Sequence, residues 1–291
     1  MMSFKPLRKR LEEASKHTSL RLDIIQQDYI LSWLLVGIFE HPTLKSSLMF
    51  KGGTALKKGY FGEYRFSEDL DFSIKEKCSE DLLQSITEAC KSAEMRMREF
   101  APIQLYVKKY EEKMPHPEGQ QAFVINAQFP WQSQPLTKAM IEISLNETVL
   151  LEPVSKALIH PYGEPIDLQM NLYSLEEIIL EKLRAILQHT KKLHERDWTR
   201  SRARDYYDLW RIFGMFEKGI NLEVIRKNLT LKCSCKQVSF QKPADFFDEK
   251  MIGYVSKTWK QWLGPLVTDL PDSQKILKEL KAKIPLCLPI M

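Results

Sequence analysis

Ser67, Asp69 and Asp71 stand at alternate positions in the stretch GGTALKKGYFGEYRFSEDLDFSI, residues 52–74, which opens on two adjacent glycines. Residues two apart in a strand face the same side, so Asp69 and Asp71 project together while Leu70 and Phe72 point into a core. Carboxylates about 6 to 7 Å apart along a strand repel one another unless a cation lies between them. Oxygen-only ligands favour a hard ion such as Mg²⁺ over zinc. Gly52 and Gly53 precede a run that reads as helix, where free backbone N–H groups and the helix dipole favour an anion, and Thr54 adds a hydroxyl. A D-x-D strand by itself would read as a solvated face; joined to the glycine turn it predicts phosphate and metal chemistry. The stretch is neither a GxxxxGK[ST] loop nor a GxGxxG loop.

The flanking segments must hold this stretch in place. Leu48 to Phe50 reads as a short strand delivering Lys51 and the glycines, Ala55 to Tyr60 as a helix broken by Gly59 and Gly62, and Tyr64 to Ile74 as the D-x-D strand. Upstream, apolar residues from Leu22 to Phe39 recur at helical spacing, and His41-Pro42 ends that helix. Downstream, Ser79 to Arg98 is helical, with Ser79 as its cap. The period then changes to two around Ile103–Val107, Phe123–Ala127 and Ile141–Leu145, three half-buried strands separated by turns at 114–119 and 130–137. On the third strand Glu142 shares a face with Met140 and Ser144, away from the core, and could converge on Asp69 and Asp71. Residues 147–172 read as irregular, with His160 in a structural hydrogen bond.

A capping box, Ser174 with Glu177, starts a strong helix. Lys182 falls inside its apolar arc of Leu175, Ile178, Ile179, Leu183, Ile186 and Leu187, so the lysine must snorkel out or meet an anion. Ala203 to Phe213 is a further helix, with Asp205 and Asp208 together on its flank. Two more helices follow, at 246–262 and 272–284. The expected fold is α+β: a core at 1–165, built of one mixed sheet and its helices, and a helical lobe at 166–291 carrying the lysine and aspartate motifs.

The 291 residues are 44% hydrophobic and 28% charged, a globular composition. Eight basic residues between Lys182 and Arg204 face only Glu195 and Asp197, so this segment holds the whole of the net charge of +5. Such a run is either a solvated face or a surface for a polyanion such as RNA. Five cysteines, Cys78, Cys90, Cys233, Cys235 and Cys287, show no disulfide framework and no completed zinc set. With no signal-type stretch, and with the apolar run Ile30–Phe39 too short to span a bilayer, a cytoplasmic protein without membrane association is expected.

GGTAL followed by RFSEDLDFSI resembles the AbiEii/AbiGii toxin family of the polymerase-β-like nucleotidyltransferases, to which the MenT toxins also belong. Further along, EEIILEKLRAI and then RARDYYDLW are similar to the family's EEILAEKLRA and RDxYDL segments. The resemblance implies a nucleotidyltransferase-like mixed sheet and a Mg²⁺-dependent transfer of NMP from an NTP to a macromolecular hydroxyl. It implies Asp69, Asp71 and Glu142 as metal ligands, with Met140 where the family carries a basic residue. Gly52, Gly53, Thr54, Arg65, Ser67 and Lys182 would form the nucleotide site, with Lys182 set by Asp205 in the catalytic group. It further implies a toxin of a bacterial toxin–antitoxin or abortive-infection system, neutralised by a separately encoded antitoxin, with the 3′ end of tRNA as acceptor in some relatives. Two alternatives stay open: a non-catalytic RNA- or nucleotide-binding module, and transfer onto protein hydroxyls.

Overall fold

The computed structural model describes residues 5–75, 81–111 and 119–289. Cys78, Ser79 and residues 114–118 of an expected turn lie outside the described residues. The chain divides into two units, Met1–Glu147 with Pro153–Leu172, and Thr148–Glu152 with Tyr173–Met291.

The first unit is built on α2, Leu22–Glu40, which follows α1, Leu7–Thr18. Every α2 residue from Ile25 to Phe39 except Gln27 is buried. By length and composition alone this helix could cross a membrane, since it extends well beyond the Ile30–Phe39 run, but most of it is covered by its own unit. It ends at Glu40, and Pro42 opens the short helix α3, Pro42–Ser47, at a position where its missing N–H costs nothing. Helix α5 spans Leu82–Met97 and packs on α2. Its cap is Asp81, whose carboxylate accepts from Leu83 N–H, in place of the expected Ser79.

One sheet of seven strands runs in the order β3-β4-β5-β2-β1-β7-β6. Its members are β1 (Leu48–Lys51), β2 (Asp69–Ile74), β3 (Gln104–Tyr110), β4 (Gln120–Gln128), β5 (Thr137–Ser144), β6 (Val154–Ala157) and β7 (Gln169–Leu172). It is mixed: β2 is antiparallel to β1 and parallel to β5. The three alternating strands and the D-x-D strand are present, so the α+β expectation holds. The D-x-D strand starts at Asp69 and not at Tyr64. The stretch read as irregular holds β6 and β7, and β7 pairs beside β1 at Phe50 and Leu172, which carries the first unit to residue 172 rather than 165.

Between β1 and β2 the helix α4, Gly52–Ala55, runs straight into a π-helical turn, Leu56–Phe61. Gly59 lies within this turn rather than breaking it; a Cβ there would meet Leu172 at 2.2 Å, so close packing explains the glycine. Gly62, at φ +69°, ends the helix. A buried ion pair ties the turn to α2, with Lys58 Nζ 2.6 Å from Asp28 Oδ2, which also accepts from Tyr162 O–H at 2.7 Å. Beside it His160 Nε2 lies 2.9 Å from Glu164, the structural hydrogen bond expected of it, and Glu164 also takes Arg10 and Tyr29.

The second unit contains α6 (Leu175–Arg196), α7 (Ala203–Phe216), α8 (Leu222–Ser234), α9 (Glu249–Leu263) and α10 (Ser273–Lys283). Ser174 caps α6 by accepting from Glu177 N–H. The Glu177 carboxylate is turned elsewhere: it accepts from Leu150 and Leu151 N–H and from Lys232 Nζ at 2.6 Å. Lys232 also donates to the Thr148 carbonyl and meets Glu181. These bonds hold residues 148–152 to the helical unit.

The α2–α5 crossing depends on Gly37, where an added Cβ would lie 2.1 Å from the Ala89 carbonyl oxygen on α5. Gly37→Ala is expected to destabilise the protein by about 1–3 kcal/mol through overpacking of backbone against backbone. Urea denaturation measures it, and an unchanged midpoint would mean that the helices separate without cost.

Candidate active site

The predicted residues fall into two groups, one in each unit. In the first, sheet register does the assembling. Asp71 of β2 is paired with Lys51 of β1 on one side and Glu142 of β5 on the other, and Asp69 is paired with Met140. Paired residues in adjacent strands point to the same side, so Lys51, Asp71 and Glu142 form a row across one face, with Asp69 two residues along. The opposite face carries Phe50, Leu70, Phe72, Ile141 and Ile143, all fully buried. Sheet register therefore puts Glu142 on the same face as Asp69 and Asp71.

The glycine turn lies against this row. Gly52 has φ +81°, and a Cβ on it would sit 2.3 Å from Asp71 Oδ2. A Cβ on Gly53 would sit 2.2 Å from Arg65 Nη2. Two residues without side chains thus bring backbone up to a carboxylate and to a guanidinium. Arg65 is buried and donates to the Phe66 carbonyl, and Ser67 is half-buried beside it. Thr54 departs from expectation: its side chain is fully buried and its hydroxyl donates to the Asp69 carbonyl at 2.6 Å. That bond fastens the helix start to the D-x-D strand and leaves the hydroxyl unable to reach a ligand.

Lys51 is a member of this face that the D-x-D and glycine motifs do not point to. Its Nζ lies 2.6 Å from Glu147 Oε2 and 3.0 Å from Ser144 Oγ, on the carboxylate face. The signal was available, since alternation that sends Phe50 inward sends Lys51 outward. Lys57 is buried, with its amine 3.9 Å from the centre of the Phe66 ring.

The donors on this face suit a hard cation in chemical type, being carboxylate oxygens alone. Among the described residues no three His, Cys, Asp or Glu side chains are gathered into a ready cluster. Mg²⁺ seldom uses such an all-protein cage; it keeps several waters and takes one or two carboxylates together with substrate phosphates. Asp69, Asp71 and Glu142 fit an ion of that kind.

In the second unit Lys182 is buried, and its amine is held at 2.9 Å by Asp205 and at 2.6 Å by Asp208. Snorkelling is thereby excluded. Burial would raise the Asp205 carboxyl, yet Arg202 and then Lys182 hold it far below the usual range, so it stays ionised. Arg202 at 3.1 Å is the arginine partner of Asp205, whereas Arg204 lies over the Trp262 ring. The basic segment is accordingly not one surface: Lys182, Arg184, Arg202 and Arg204 are turned inward to partners, while Lys191, Arg196 and Arg200 are exposed. A cleft of about 690 Å³ in this unit, lined by Leu187, Lys191, His194, Val238 and Phe247 among others, contains none of the predicted residues.

Gly52→Ala is expected to cost about 1–3 kcal/mol from left-handed backbone strain alone and to push the Asp71 carboxylate aside. A fall in denaturation midpoint together with lost NTP binding checks both effects, and a stable, NTP-binding variant would refute the close approach. A second expectation concerns pH. Burial first, then Arg202 and Lys192, push His189 down to about 3, and its Nδ1 lies 2.6 Å from Thr199 Oγ1. The unfolded chain takes up that proton near pH 6.5 and the folded one does not, so stability is intact above 6.5 and is lost as pH falls toward 3. Denaturation midpoints measured across that window should fall less steeply in His189→Gln; equal slopes would place the lost proton elsewhere.

Comparison with known proteins places these features. Curated proteins give no match. Among solved structures, the nucleotidyltransferase toxin MenT4 from Mycobacterium tuberculosis H37Rv superposes with a TM-score of 0.57 at 17% identity, covering 98% of this chain and 100% of that one. At that identity the likeness is one of fold. A family model described as nucleotidyl transferase AbiEii toxin, type IV toxin–antitoxin system, matches residues 33–282, from within α2 to within α10 and including every predicted site residue. The chain belongs to the AbiEii nucleotidyltransferase toxin family.

Proposed function

We propose that the protein is a Mg²⁺-dependent nucleotidyltransferase that moves NMP from an NTP onto a hydroxyl of an RNA acceptor, tRNA among the candidates, and serves as the toxin of a toxin–antitoxin pair. The observation that carries this reading is the row Lys51, Asp71, Glu142 with Gly52 pressed against the Asp71 carboxylate. Asp69 and Asp71, with Glu142, would hold Mg²⁺, which when bound supplies positive charge to the NTP phosphates. Backbone N–H groups of the Gly52–Gly53 turn would take the β and γ phosphates, and Arg65 and Ser67 would shape their pocket. If Glu142 is not a ligand it serves as the base for the attacking hydroxyl. The likeness of EKLRA and RDYYDL to family motifs supports the last role, in which the Lys182 amine, fixed by Asp205 and Asp208, offsets charge on the departing pyrophosphate.

RNA as acceptor is supported by the exposed Lys191, Arg196 and Arg200 around Trp198, which is 70% exposed. Basic groups interleaved with an accessible aromatic ring suit a polynucleotide. The family's description as a type IV toxin–antitoxin system supports an antitoxin partner.

The test is to incubate the purified protein with each labelled NTP, Mg²⁺, total tRNA and cell lysate, and to ask which macromolecule carries label. RNA is expected to be labelled, and Asp71→Asn to lower transfer by about a hundredfold or more, because catalysis here is positioning and electrostatics. Wild-type turnover in Asp71→Asn would refute the site. Label on protein would replace the acceptor, and salt-sensitive RNA binding without NTP consumption would leave a binding module.

A further inference from the structure

The face of the sheet that bears the carboxylates does not stop at Glu142. Glu142 is paired with Ala122 of β4, and Ala122 with Tyr110 of β3; one row along, Asp69 leads through Met140 and Val124 to Lys108; a third row runs from Lys138 through Asn126 to Tyr106. Tyr106, Lys108 and Tyr110 therefore point to the same side as Asp69, Asp71 and Glu142. None of the three is covered: Tyr106 is 47% and Tyr110 46% exposed, and Lys108 is exposed as well. Two large rings left in water on alternate positions either side of a lysine, on a strand whose other face is half-buried at Leu105 and Val107, are not explained by the stability of the fold. Tyr106 is also steadied, its hydroxyl donating to Gln104 at 2.6 Å.

We propose that this open face of β3, β4 and β5 seats the acceptor as single-stranded RNA, with bases stacked on Tyr106 and Tyr110 and phosphates on Lys108 and Lys138, an assignment that rests on the transferase reading above. Tyr106 and Tyr110 stand roughly 13 Å apart by strand rise, and Tyr110 lies three strand spacings, about 14 Å, from Asp71. An extended strand of a few nucleotides covers that distance and delivers its terminal hydroxyl to the carboxylates. Charge agrees: among the strand residues of this face the lysines 108 and 138 are met by no carboxylate until Glu142. On β4, between the rings and the site, Val124 and Asn126 are half-exposed and Ala122 is buried. Stacking on exposed aromatics over a basic surface is how unpaired bases are held without sequence preference.

The outer edge of β3 pairs with no strand among the described residues, so a peptide adding itself to the sheet is the rival occupant. Lys108 and Lys109 on that edge oppose it, since lysines on an edge strand discourage strand addition.

The experiment measures binding first and transfer second. With a labelled, unstructured RNA of about ten nucleotides, fluorescence anisotropy should show binding by the wild type, weaker binding of the same sequence as duplex, and roughly tenfold weaker binding by Tyr106→Ala and by Tyr110→Ala. Tyr106→Phe and Tyr110→Phe keep the ring and should bind as the wild type does. Both positions are at the surface, so folding and NTP binding without RNA should not change. Wild-type protein that ignores single-stranded RNA, alanine variants that bind it undiminished, or labelling of a protein acceptor at the β3 edge would each overturn the proposal. If the alanine variants lose RNA while the wild type transfers no nucleotide, the surface stands and the transferase reading falls. If transfer to RNA persists in the alanine variants but not in Asp71→Asn, the enzyme stands and the surface falls.

Discussion

Asp71 and Glu142 lie side by side in a parallel strand pair, and two carboxylates in that position repel. At about 5 Å and an effective dielectric near 20 the repulsion is on the order of 3 kcal/mol, and solvent at these half-exposed groups reduces it. The fold holds them there because their neighbours leave no choice. Leu70, Phe72, Ile141 and Ile143 alternate with the acids and are fully buried, so a slip of one residue in either strand would put these side chains in water and the carboxylates in the core. Hydrophobic burial sets the register, and the register sets the site. Lys51, on the same row, returns part of the electrostatic cost.

The glycine turn is fixed against the same strands. Gly52 can approach Asp71 only because it has no side chain and tolerates φ +81°. Thr54, one residue beyond Gly53, donates to the backbone of Asp69, so helix start and D-x-D strand move as one piece. The π-helical turn that follows is anchored in its turn by Lys58 on Asp28. A hydroxyl and an amine that could have served a ligand are used to hold the turn in place, and the phosphate contacts proposed above fall to backbone N–H and Arg65.

These distinctions mark what could be read in the sequence. Alternation gave the faces of β2 and β5, because period two is local and both strands have a buried side. Helical period placed Lys182 within an apolar arc, where it is found. The strands β6 and β7 escaped because each has four residues and is made a strand by pairing with a distant partner, which leaves little periodic trace. Which way a side chain turns was less legible still. The Ser174–Glu177 pattern marked the helix start correctly, yet the Glu177 carboxylate serves Leu150, Leu151 and Lys232, remote in sequence. The basic run looked uniform until α6 and the following loop turned half of it inward.

Lys182 shows how an ion pair can be argued beyond structure. A lysine that only needed to cover apolar surface with its stem would end in solvent. This one ends between Asp205 and Asp208, the latter with a fully buried side chain, and Arg202 supplies the second positive charge that two carboxylates require. Burying such a group rarely adds stability over apolar residues of equal volume, since desolvation offsets the attraction. What it does provide is an amine held from two sides and placed where its position does not depend on rotamer chance. The role proposed for Lys182 requires that property and a core does not, because stabilisation of developing charge is effective only when the dipoles and charges are set before the reaction.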